Sequence, residues 1–406
     1  MTPVTATPLG RAFDLLAAYE APDGFHVERE GIGVSAPSVR GGSHIGPEPD
    51  LAALARATSK ALREAHGGGV GPLAIGALPF DRVDASLWVP ARAVMRAGAG
   101  ETWLLDLPGD AEPPPFTPER VIGDLPHEAF RPVQLIEEPS AEVFAAAVAE
   151  ATASIARGEV AKVVLARTLR VDAGRVLDPR RLLHRLRAVE PHCFTFAAPT
   201  TAGVLVGASP ELLVSRRGDR VRSTPLAGTA PRAGDPDEDA ANAEALAASD
   251  KNREEHAIVV DAIADVLGRF CDDLSFDAEP VLEPTANVWH LATRFEGTLR
   301  DPGASALDIV AELHPTPAVC GTPPAAAASA IAELEPFDRG AYAGPVGWVD
   351  ANGDGDWAIA LRCAALEGER ATLYAGAGIV AGSDPADEVD ETERKFRAFL
   401  DSLRWG

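Results

Sequence analysis

The sequence predicts an α+β fold, because strand and helix patterns fall in separate blocks and not in a regular βαβ alternation. Helical periodicity predicts long helices over about 238–269 and 386–403. Period-two runs of apolar and β-branched residues predict strands over 161–171, 202–208, 346–350, 357–366 and 370–380, and a hairpin over 212–223 that turns at Gly218-Asp219. At 406 residues the chain can bury a sizeable core.

Capping and terminating residues mark the ends of a predicted helix that follows residue 140. Ser140 is suited to cap a helix over about 141–157, Glu142 favours its positive end, and Gly158 stops it. The preceding segment, 107–140, is rich in proline and acidic residues and predicts an exposed connection. It separates a weakly informative N-terminal third from a remainder that is dense in motifs.

Composition excludes several classes of partner. The 61 acidic and 37 basic side chains leave a net charge of −24, which repels nucleic acid and anionic membrane surfaces. The N-terminus lacks a basic start followed by an apolar stretch, and no run approaches the ~18 apolar residues of a spanning helix. We therefore expect a cytoplasmic protein. The four cysteines are widely spaced, which predicts reduced, mostly buried thiols.

Lysine is rare in this chain. Of the 37 basic residues only four are lysine, namely Lys60, Lys162, Lys251 and Lys395. One reason to keep lysine among so many arginines is a need for a compact point charge, or for an amine that can lose its proton. The alternative is chance.

Lys162 lies on the strand predicted over 161–171 and shares a face with Val164 and Ala166. If that strand is central, burial would favour the neutral amine, which can accept a proton from water as a general base. If the strand is at an edge, the same lysine would point into solvent and discourage aggregation.

Glu211 interrupts the apolar stretch VLVGASPELLV directly after Pro210, which marks a strand end or a bulge. In apolar surroundings the pKa of this carboxyl would be raised, so that it would stay protonated and could donate to a leaving hydroxyl. A solvated hairpin corner is the competing interpretation.

Three further glutamates suit a hard divalent cation such as Mg²⁺. Glu255 shares the apolar stripe of its predicted helix and should face inward, whereas Glu254 is turned toward solvent. Glu388 and Glu391 lie one turn apart on the last helix, where two carboxylates repel unless a cation is nearby. The alternative is an ordinary surface pair between Glu391 and Lys395.

Distinctive segments follow one another from about residue 160 to the C-terminus, and GALPFD (76–81) is a further one. They are AKVVLAR (161–167), GASPELL (207–213), PLAGTAPR (225–232), KNREEH (251–256), VWHLAT (288–293), LHPTPAVCGTP (313–323), ELEPFDRGAYAGPVGW (333–348), LRCA (361–364), YAGAGIV (374–380) and the E-x-x-E-x-x-x-K of the last helix. In these segments the chain resembles the chorismate-utilising enzymes, and most closely the isochorismate synthases.

The resemblance implies a single large domain over 1–406 with two stacked, mainly antiparallel sheets and helices outside. A variable N-terminal part, 1–135, would precede the motif-bearing catalytic part, 136–406. The resemblance implies that Lys162 is the base that activates water and that Glu211 is the acid that protonates the departing hydroxyl. It implies that Glu255 and Glu391 are the Mg²⁺ ligands, with Glu388 nearby. The implied substrate-binding residues are, around the ring and its carboxylate, Gly228, Thr229 and His290, and, near the enolpyruvyl side chain, Tyr342, Arg362, Gly376 and Lys395.

The implied reaction is the Mg²⁺-dependent conversion of chorismate into isochorismate, with base and acid on opposite faces of the ring. Salicylate synthase, which goes on to expel pyruvate, is the nearer alternative. Ala318 resembles the enzymes that stop at isochorismate, whereas Tyr342 and Leu361 are types also found in the lyases. A catalytically silent chorismate-binding subunit is a second alternative. We expect a monomer, with an isochorismate-using enzyme downstream in siderophore, menaquinone or another biosynthesis.

Overall fold

The helices begin and end largely where capping and helix-terminating residues in the sequence predict. The structure, a computed structural model, describes residues 4–10, 12–66, 71–98, 100–107, 116 and 132–403. Within them Ser140 accepts a hydrogen bond from the Val143 amide, as its predicted capping role requires. The helices are α1 (Leu51–Ala65), α2 (Ala141–Ala156), α3 (Pro179–Val189), α4 (Pro236–Ala248), α5 (Asp250–Phe270), α6 (Ala306–Leu313), α7 (Pro324–Leu334) and α8 (Pro385–Leu403), with a 3₁₀ turn at Leu15–Ala18.

The strands of the N-terminal part are β1 (Thr5–Pro8), β2 (Phe25–Arg29), β3 (Ile32–Ala36), β4 (Ser43–Glu48), β5 (Leu73–Ala77), β6 (Ala85–Val89), β7 (Arg92–Arg96), β8 (Trp103–Asp106) and β9 (Gln134–Glu138). Most of the predicted connection, 107–140, lies outside the described residues. Its last part is not a loop, because β9 pairs with the strand over 162–172.

The remaining strands are β10 (Lys162–Asp172), β11 (Phe194–Thr200), β12 (Gly203–Ser209), β13 (Leu212–Arg217), β14 (Arg220–Thr224), β15 (Leu226–Pro231), β16 (Ser275–Phe276), β17 (Val281–Pro284), β18 (Val288–Ala292), β19 (Phe295–Thr298), β20 (Gly321–Thr322), β21 (Pro345–Asp350), β22 (Gly355–Ile359), β23 (Cys363–Glu367) and β24 (Arg370–Ile379). The predicted hairpin turn at Gly218-Asp219 is confirmed, since β13 and β14 pair across it.

Two of the predicted elements are interrupted. The helix predicted over 238–269 ends at Ala248, and Ser249 leaves the helical conformation to cap α5 through the Asn252 amide. The strand predicted over 357–366 breaks at 360–362 into β22 and β23, because the chain there passes from one sheet to the other.

The predicted pair of stacked antiparallel sheets is confirmed. In the described part of the chain, the larger sheet has twelve strands in the order β1-β8-β7-β3-β2-β11-β12-β23-β24-β10-β20, with β9 also on β10. The smaller has nine, in the order β16-β19-β14-β13-β22-β21-β5-β6-β4. A third sheet, β15-β18-β17, was not predicted. Both large sheets contain strands from either side of residue 135.

Alternation along the strands explains the layers. Phe196 and Leu205 of the larger sheet share an apolar cluster with Trp348 of the smaller sheet, so these faces pack on each other. Their neighbours Ala197 and Val206 point to the opposite face, where α3 and α8 cover the sheet.

Two further expectations concern the helices and the cysteines. Among the described residues, no helix is both long enough and apolar enough to span a membrane. All four cysteines are buried free thiols, as predicted.

Candidate active site

The site lies where the chain crosses between the two large sheets. Pro210 and Glu211 connect β12 in the larger sheet to β13 in the smaller, and residues 360–362 connect β22 back to β23. The two crossings are joined by a hydrogen bond, because the Ile359 amide donates to the carbonyl of Glu211 at 3.2 Å. Side chains on such connections enter the space between the sheets, and a pocket is found there.

Sequence reasoning located most of this pocket. All predicted site residues except Lys162 and Glu388 line it: Glu211, Gly228, Thr229, Glu255, His290, Ala318, Tyr342, Arg362, Gly376, Glu391 and Lys395. The two exceptions lie behind the wall, where Lys162 contacts Glu255 and Glu388 contacts Lys251. The predicted residues therefore converge on one place in the fold.

Glu211 is buried, with 2% of its surface exposed, so the solvated hairpin corner is ruled out. Its backbone amide donates to the Ser209 hydroxyl at 3.2 Å, which fixes the turn between the strands. Burial raises the pKa of Glu211 to about 8, although the charge of Lys162 and the Leu226 amide act in the opposite direction. This carboxyl is therefore mostly protonated at neutral pH and has a proton to donate.

Lys162 begins β10, which is paired on both sides, with Lys162 opposite Thr322 of β20 and Val163 opposite Ile379 of β24. The edge-strand alternative is therefore wrong, and the lysine is 0% exposed. Its Nζ lies 3.0 Å from an Oε1 of Glu255. Space for this pair requires glycine at position 378, because a Cβ there would lie 2.2 Å from Oε1 of Glu255.

The three glutamates occupy two helices that face the pocket. Glu255 of α5 is buried and its neighbour Glu254 is exposed, as predicted. Each carboxylate forms an ion pair with a different ammonium: Glu255 with Lys162 at 3.0 Å, Glu388 with Lys251 at 2.8 Å and Glu391 with Lys395 at 2.6 Å. The last two pairs are also hydrogen bonds, whereas Nζ of Lys162 has no hydrogen-bond partner among the described residues. Within the part of the chain that is described, no cluster of three or more His, Cys, Asp or Glu side chains is arranged to hold a metal.

The charges around these carboxylates nevertheless suit a cation. Burial and the charge of Glu391 raise the pKa of Glu388 above its ordinary value, although its hydrogen bond to Lys251 opposes this. Burial would also raise the pKa of Glu391, but Lys395 and then Lys251 outweigh it and the net pKa is lowered. Burial would lower the pKa of Lys251, but its hydrogen bond to Glu388 and the charges of Glu388, Glu255 and Glu391 outweigh this, and the net pKa is raised. One of these carboxylates contacts the ammonium of Lys251 and the other two act on its charge, and carboxylate oxygens are the donors that Mg²⁺ prefers.

The opposite side of the pocket presents an arginine. The Nη2 of Arg362 lies 2.7 Å from Nε2 of His290, whose Nδ1 lies 3.1 Å from the carbonyl oxygen of Gly228. Burial, then Arg362 and Lys395, lower the pKa of His290, so the ring is neutral. A guanidinium only donates, and His290 therefore accepts at Nε2 and donates from Nδ1. Thr229 Oγ1 is 3.4 Å from the same Nδ1.

Backbone conformation shapes this side of the pocket. Gly228 has φ +73° at a bulge in β15, a conformation open to glycine, and this turns its carbonyl toward His290. Arg362 has φ +48°, in the left-handed region that an arginine seldom adopts. The local strain lies at the crossing between the sheets, where it directs the guanidinium into the pocket.

Tyr342 and Tyr374 form an aromatic wall. Their rings stack with centroids 4.8 Å apart, and the pKa of Tyr342 is raised mainly by burial. The hydroxyl of Tyr342 lies close to Gly376: a Cβ at position 376 would be 3.1 Å from this oxygen, so a larger residue there would require the tyrosine ring to shift slightly. The carbonyl of Gly376 accepts a hydrogen bond from Lys395 at 2.7 Å. Lys395 therefore bridges this wall and Glu391.

A buried pair that sequence reasoning missed supports β10 next to the pocket, and its arginine, Arg339, also lines the pocket. Arg339 donates to the carbonyl of Val164 at 2.8 Å, and Glu335 accepts from the amide of Ala166 at 2.7 Å. Glu335 and Arg339 are also bonded to each other, each with 3% of its side chain exposed. The two side chains thus satisfy backbone groups between the stretches of β10 that pair with β20 and β9. Both residues lie at i,i+4 spacing in the family-like segment ELEPFDRGAYAGPVGW, but neither signal showed that they would be buried against β10.

Comparison with known proteins identifies the class of protein. A family model for chorismate binding enzymes matches residues 123–404, and the chain belongs to this family. It is 41% identical over 376 residues to isochorismate synthase DhbC of Bacillus subtilis (strain 168), with 90% of both chains covered. It is 45% identical over 360 residues to putative isochorismate synthase MenF of Mycobacterium tuberculosis, covering 86% of this chain and 90% of the relative.

Solved structures agree with this assignment. The crystal structure of putative 2,3-dihydroxybenzoate-specific isochorismate synthase DhbC from Bacillus anthracis matches with a TM-score of 0.83 at 35% identity. The match covers 97% of this chain and 99% of that chain. The family resemblance and the fold predicted from the sequence are therefore both confirmed.

Proposed function

We propose that the protein is an isochorismate synthase, which converts chorismate into isochorismate. The observation that carries the proposal is the placement of Lys162 and Glu211. Both are buried: Glu211 lines the pocket, Lys162 lies behind its wall against Glu255, and the two are close enough for the charge of Lys162 to affect the pKa of Glu211. The relatives at 41% and 45% identity bear the same activity in their names.

The reaction needs one base and one acid. Lys162 must first lose its ammonium proton to solvent. As the neutral amine it then accepts a proton from water, whose oxygen forms a bond to C2 of the ring, while the ring double bonds shift and the bond from C4 to its hydroxyl breaks. Glu211 gives its proton to the departing oxygen, which leaves as water. Atoms balance, because one water enters and one leaves. The raised pKa of Glu211, about 8, keeps the required proton in place at neutral pH.

Glu255, Glu391 and Glu388 would hold Mg²⁺ in this proposal. Bound there, the ion would supply a Lewis acid for the ring carboxylate of the substrate and draw electron density from the ring. Support comes from the three carboxylates around the Lys251 charge and from their position at or behind the pocket wall.

Arg362 would bind the enolpyruvyl carboxylate. Its guanidinium is held by His290 at 2.7 Å and can offer further N–H groups to an anion. Lys395, 2.7 Å from the carbonyl of Gly376, adds a second cation to that side of the pocket. These local cations make the binding of a dianion favourable in a protein whose net charge is −24.

Product analysis tests the proposal. Purified protein is incubated with chorismate and MgCl₂ in H₂¹⁸O, the products are separated by chromatography, and their masses are determined by mass spectrometry. We expect isochorismate alone, with one ¹⁸O in the new hydroxyl. Salicylate and pyruvate would instead identify the lyase alternative, and unchanged chorismate would identify a silent binding subunit. Lys60→Ala should match the wild type, because Lys60 is an exposed residue of α1, whereas Lys162→Ala should be ~10²–10⁴-fold slower.

A further inference from the structure

The scarce lysines of this chain are concentrated at the carboxylates. Of the four lysines, three each form an ion pair with a different glutamate of the proposed metal site, and the fourth, Lys60, lies exposed on α1. Elsewhere the ion pairs of the described residues use arginine, with two histidine contacts as the exceptions. An ammonium makes a compact, single contact and leaves it readily, while a guanidinium favours a fixed two-pronged bond. The glutamates are therefore neutralised by the cation that is easier to displace.

Charge accounting supports an exchange. Before Lys162 loses the proton that its role as base requires, Glu255, Glu388 and Glu391 contribute three negative charges and their lysines contribute three positive ones. Chorismate, whose two carboxylates carry a charge of −2, and Mg²⁺, which carries +2, would together leave the net charge of the site unchanged. Mg²⁺ without substrate would leave two uncompensated positive charges in a largely buried site. Release of one ammonium to solvent would relieve half of that excess.

Lys251 is the lysine best placed to leave. Its side chain is 35% exposed, compared with 0% for Lys162 and 14% for Lys395. It is the second residue of α5, where the positive end of the helix disfavours a cation, so the carboxylates are what keep it there. Its partner Glu388 has only 3% of its side chain exposed and needs a counter-ion in the absence of metal.

We infer that Lys251 is a resident counter-ion which Mg²⁺ displaces from the carboxylate cluster. In the metal-free protein its ammonium neutralises Glu388 and lies within the field of Glu255 and Glu391; when Mg²⁺ enters, the ammonium leaves for solvent. Lys251 thereby lowers the affinity of the site for Mg²⁺, and it stabilises the three carboxylates of Glu255, Glu388 and Glu391 against their mutual repulsion when the metal is absent. This inference rests on the metal site of the proposed function.

The test compares Lys251→Met with Lys60→Met, a matched control that removes the same charge from an exposed site on α1. Mg²⁺ affinity is measured by calorimetry at fixed pH and ionic strength without chorismate, and melting temperatures are measured with and without saturating Mg²⁺. Lys251→Met should bind Mg²⁺ about tenfold more tightly than wild type, equivalent to ~1.4 kcal/mol. It should melt lower than wild type only when Mg²⁺ is absent. Lys60→Met should match the wild type in both measurements.

Two results would overturn the inference: a Mg²⁺ affinity of Lys251→Met within twofold of the wild type, or a lowered melting temperature that persists at saturating Mg²⁺. The second result would mean that Lys251 stays bonded to Glu388 in the metal-bound protein.

A measurement on the wild type does not depend on the variant folding. Reductive methylation, read by mass spectrometry, should increase at Lys251 relative to Lys60 when Mg²⁺ is added. An unchanged ratio would contradict displacement. Failure of the proposed function would be seen separately, as a wild type that leaves chorismate unchanged at saturating Mg²⁺. A wild type that makes isochorismate while Lys251 is unaffected by metal would refute the exchange alone.

Discussion

The buried carboxyl of Glu211 should make turnover depend on pH in the alkaline range. Its pKa is raised to about 8 because the side chain is buried, in spite of the nearby charge of Lys162. If only the protonated form donates to the leaving hydroxyl, about nine in ten molecules are active at pH 7. Each pH unit well above 8 then lowers kcat/KM about tenfold.

The assay is kcat/KM for chorismate at saturating Mg²⁺ between pH 6 and 10, in wild type, Glu211→Gln and Glu254→Gln. The wild type should show an alkaline limb with an apparent pKa near that of Glu211. Glu211→Gln cannot donate a proton in the same way, so it should be ~10²–10⁴-fold slower and lack that limb. Glu254 is exposed, and its variant should keep the wild-type profile. A wild-type rate that stays constant to pH 10 would refute the reasoning.

The same group affects stability with a defined sign. Between its ordinary pKa of 4.5 and about 8, Glu211 holds a proton in the folded protein that the unfolded chain has released. Stability from this group is therefore full below pH 4.5 and falls by ~1.4 kcal/mol per pH unit until about pH 8. In denaturant titrations, the unfolding free energy of Glu211→Gln relative to that of the wild type should therefore increase as the pH rises from 4.5 to about 8. A difference between the two proteins that does not change with pH would contradict the raised pKa.

Three further changes test other parts of the site. Lys162→Ala should lower turnover by ~10²–10⁴-fold while chorismate still raises the melting temperature; substantial residual activity would remove Lys162 from the role of base. Glu255→Gln should weaken Mg²⁺ binding in calorimetry at least ~10-fold relative to Glu254→Gln, and equal affinities would remove Glu255 from the metal site. Glu335→Gln should destabilise the fold by ~3–5 kcal/mol in chemical denaturation, because it leaves Arg339 buried without a counter-ion. A change below ~1 kcal/mol would show that the pair does not support β10.

Elements with local signals were predicted closely. The helix at 141–156 begins after the capping Ser140, and the strand predicted over 161–171 is observed over 162–172. Alternation and a two-residue turn predicted the β13–β14 hairpin in the same way. Caps, turns and side-chain periods act over a few residues, so the sequence contains them directly.

Elements that depend on distant partners were not predicted. The apolar run at 357–366 reads as one strand, yet residues 360–362 leave the smaller sheet to join the larger, with Arg362 at φ +48°. The strand at 134–138 lies in a polar segment and forms because it pairs with β10. The direct bond between Arg362 and His290 was also missed, although family motifs identified both residues. Each of these features needs a second segment that is far away in the chain.

The amino-acid sequence alone determined the secondary-structure pattern, the excess of negative charge and, through its ordered motifs, the family and the set of candidate residues. Only the tertiary structure decided how each carboxyl behaves. Glu211 and Glu391 are the same residue type, yet the pKa of the first is raised to about 8 while that of the second is lowered. The difference arises because burial dominates at Glu211, whereas Glu391 is bonded to the ammonium of Lys395 at 2.6 Å. Desolvation and a bound counter-charge act in opposite directions, and which one prevails depends on neighbours that only folding brings together.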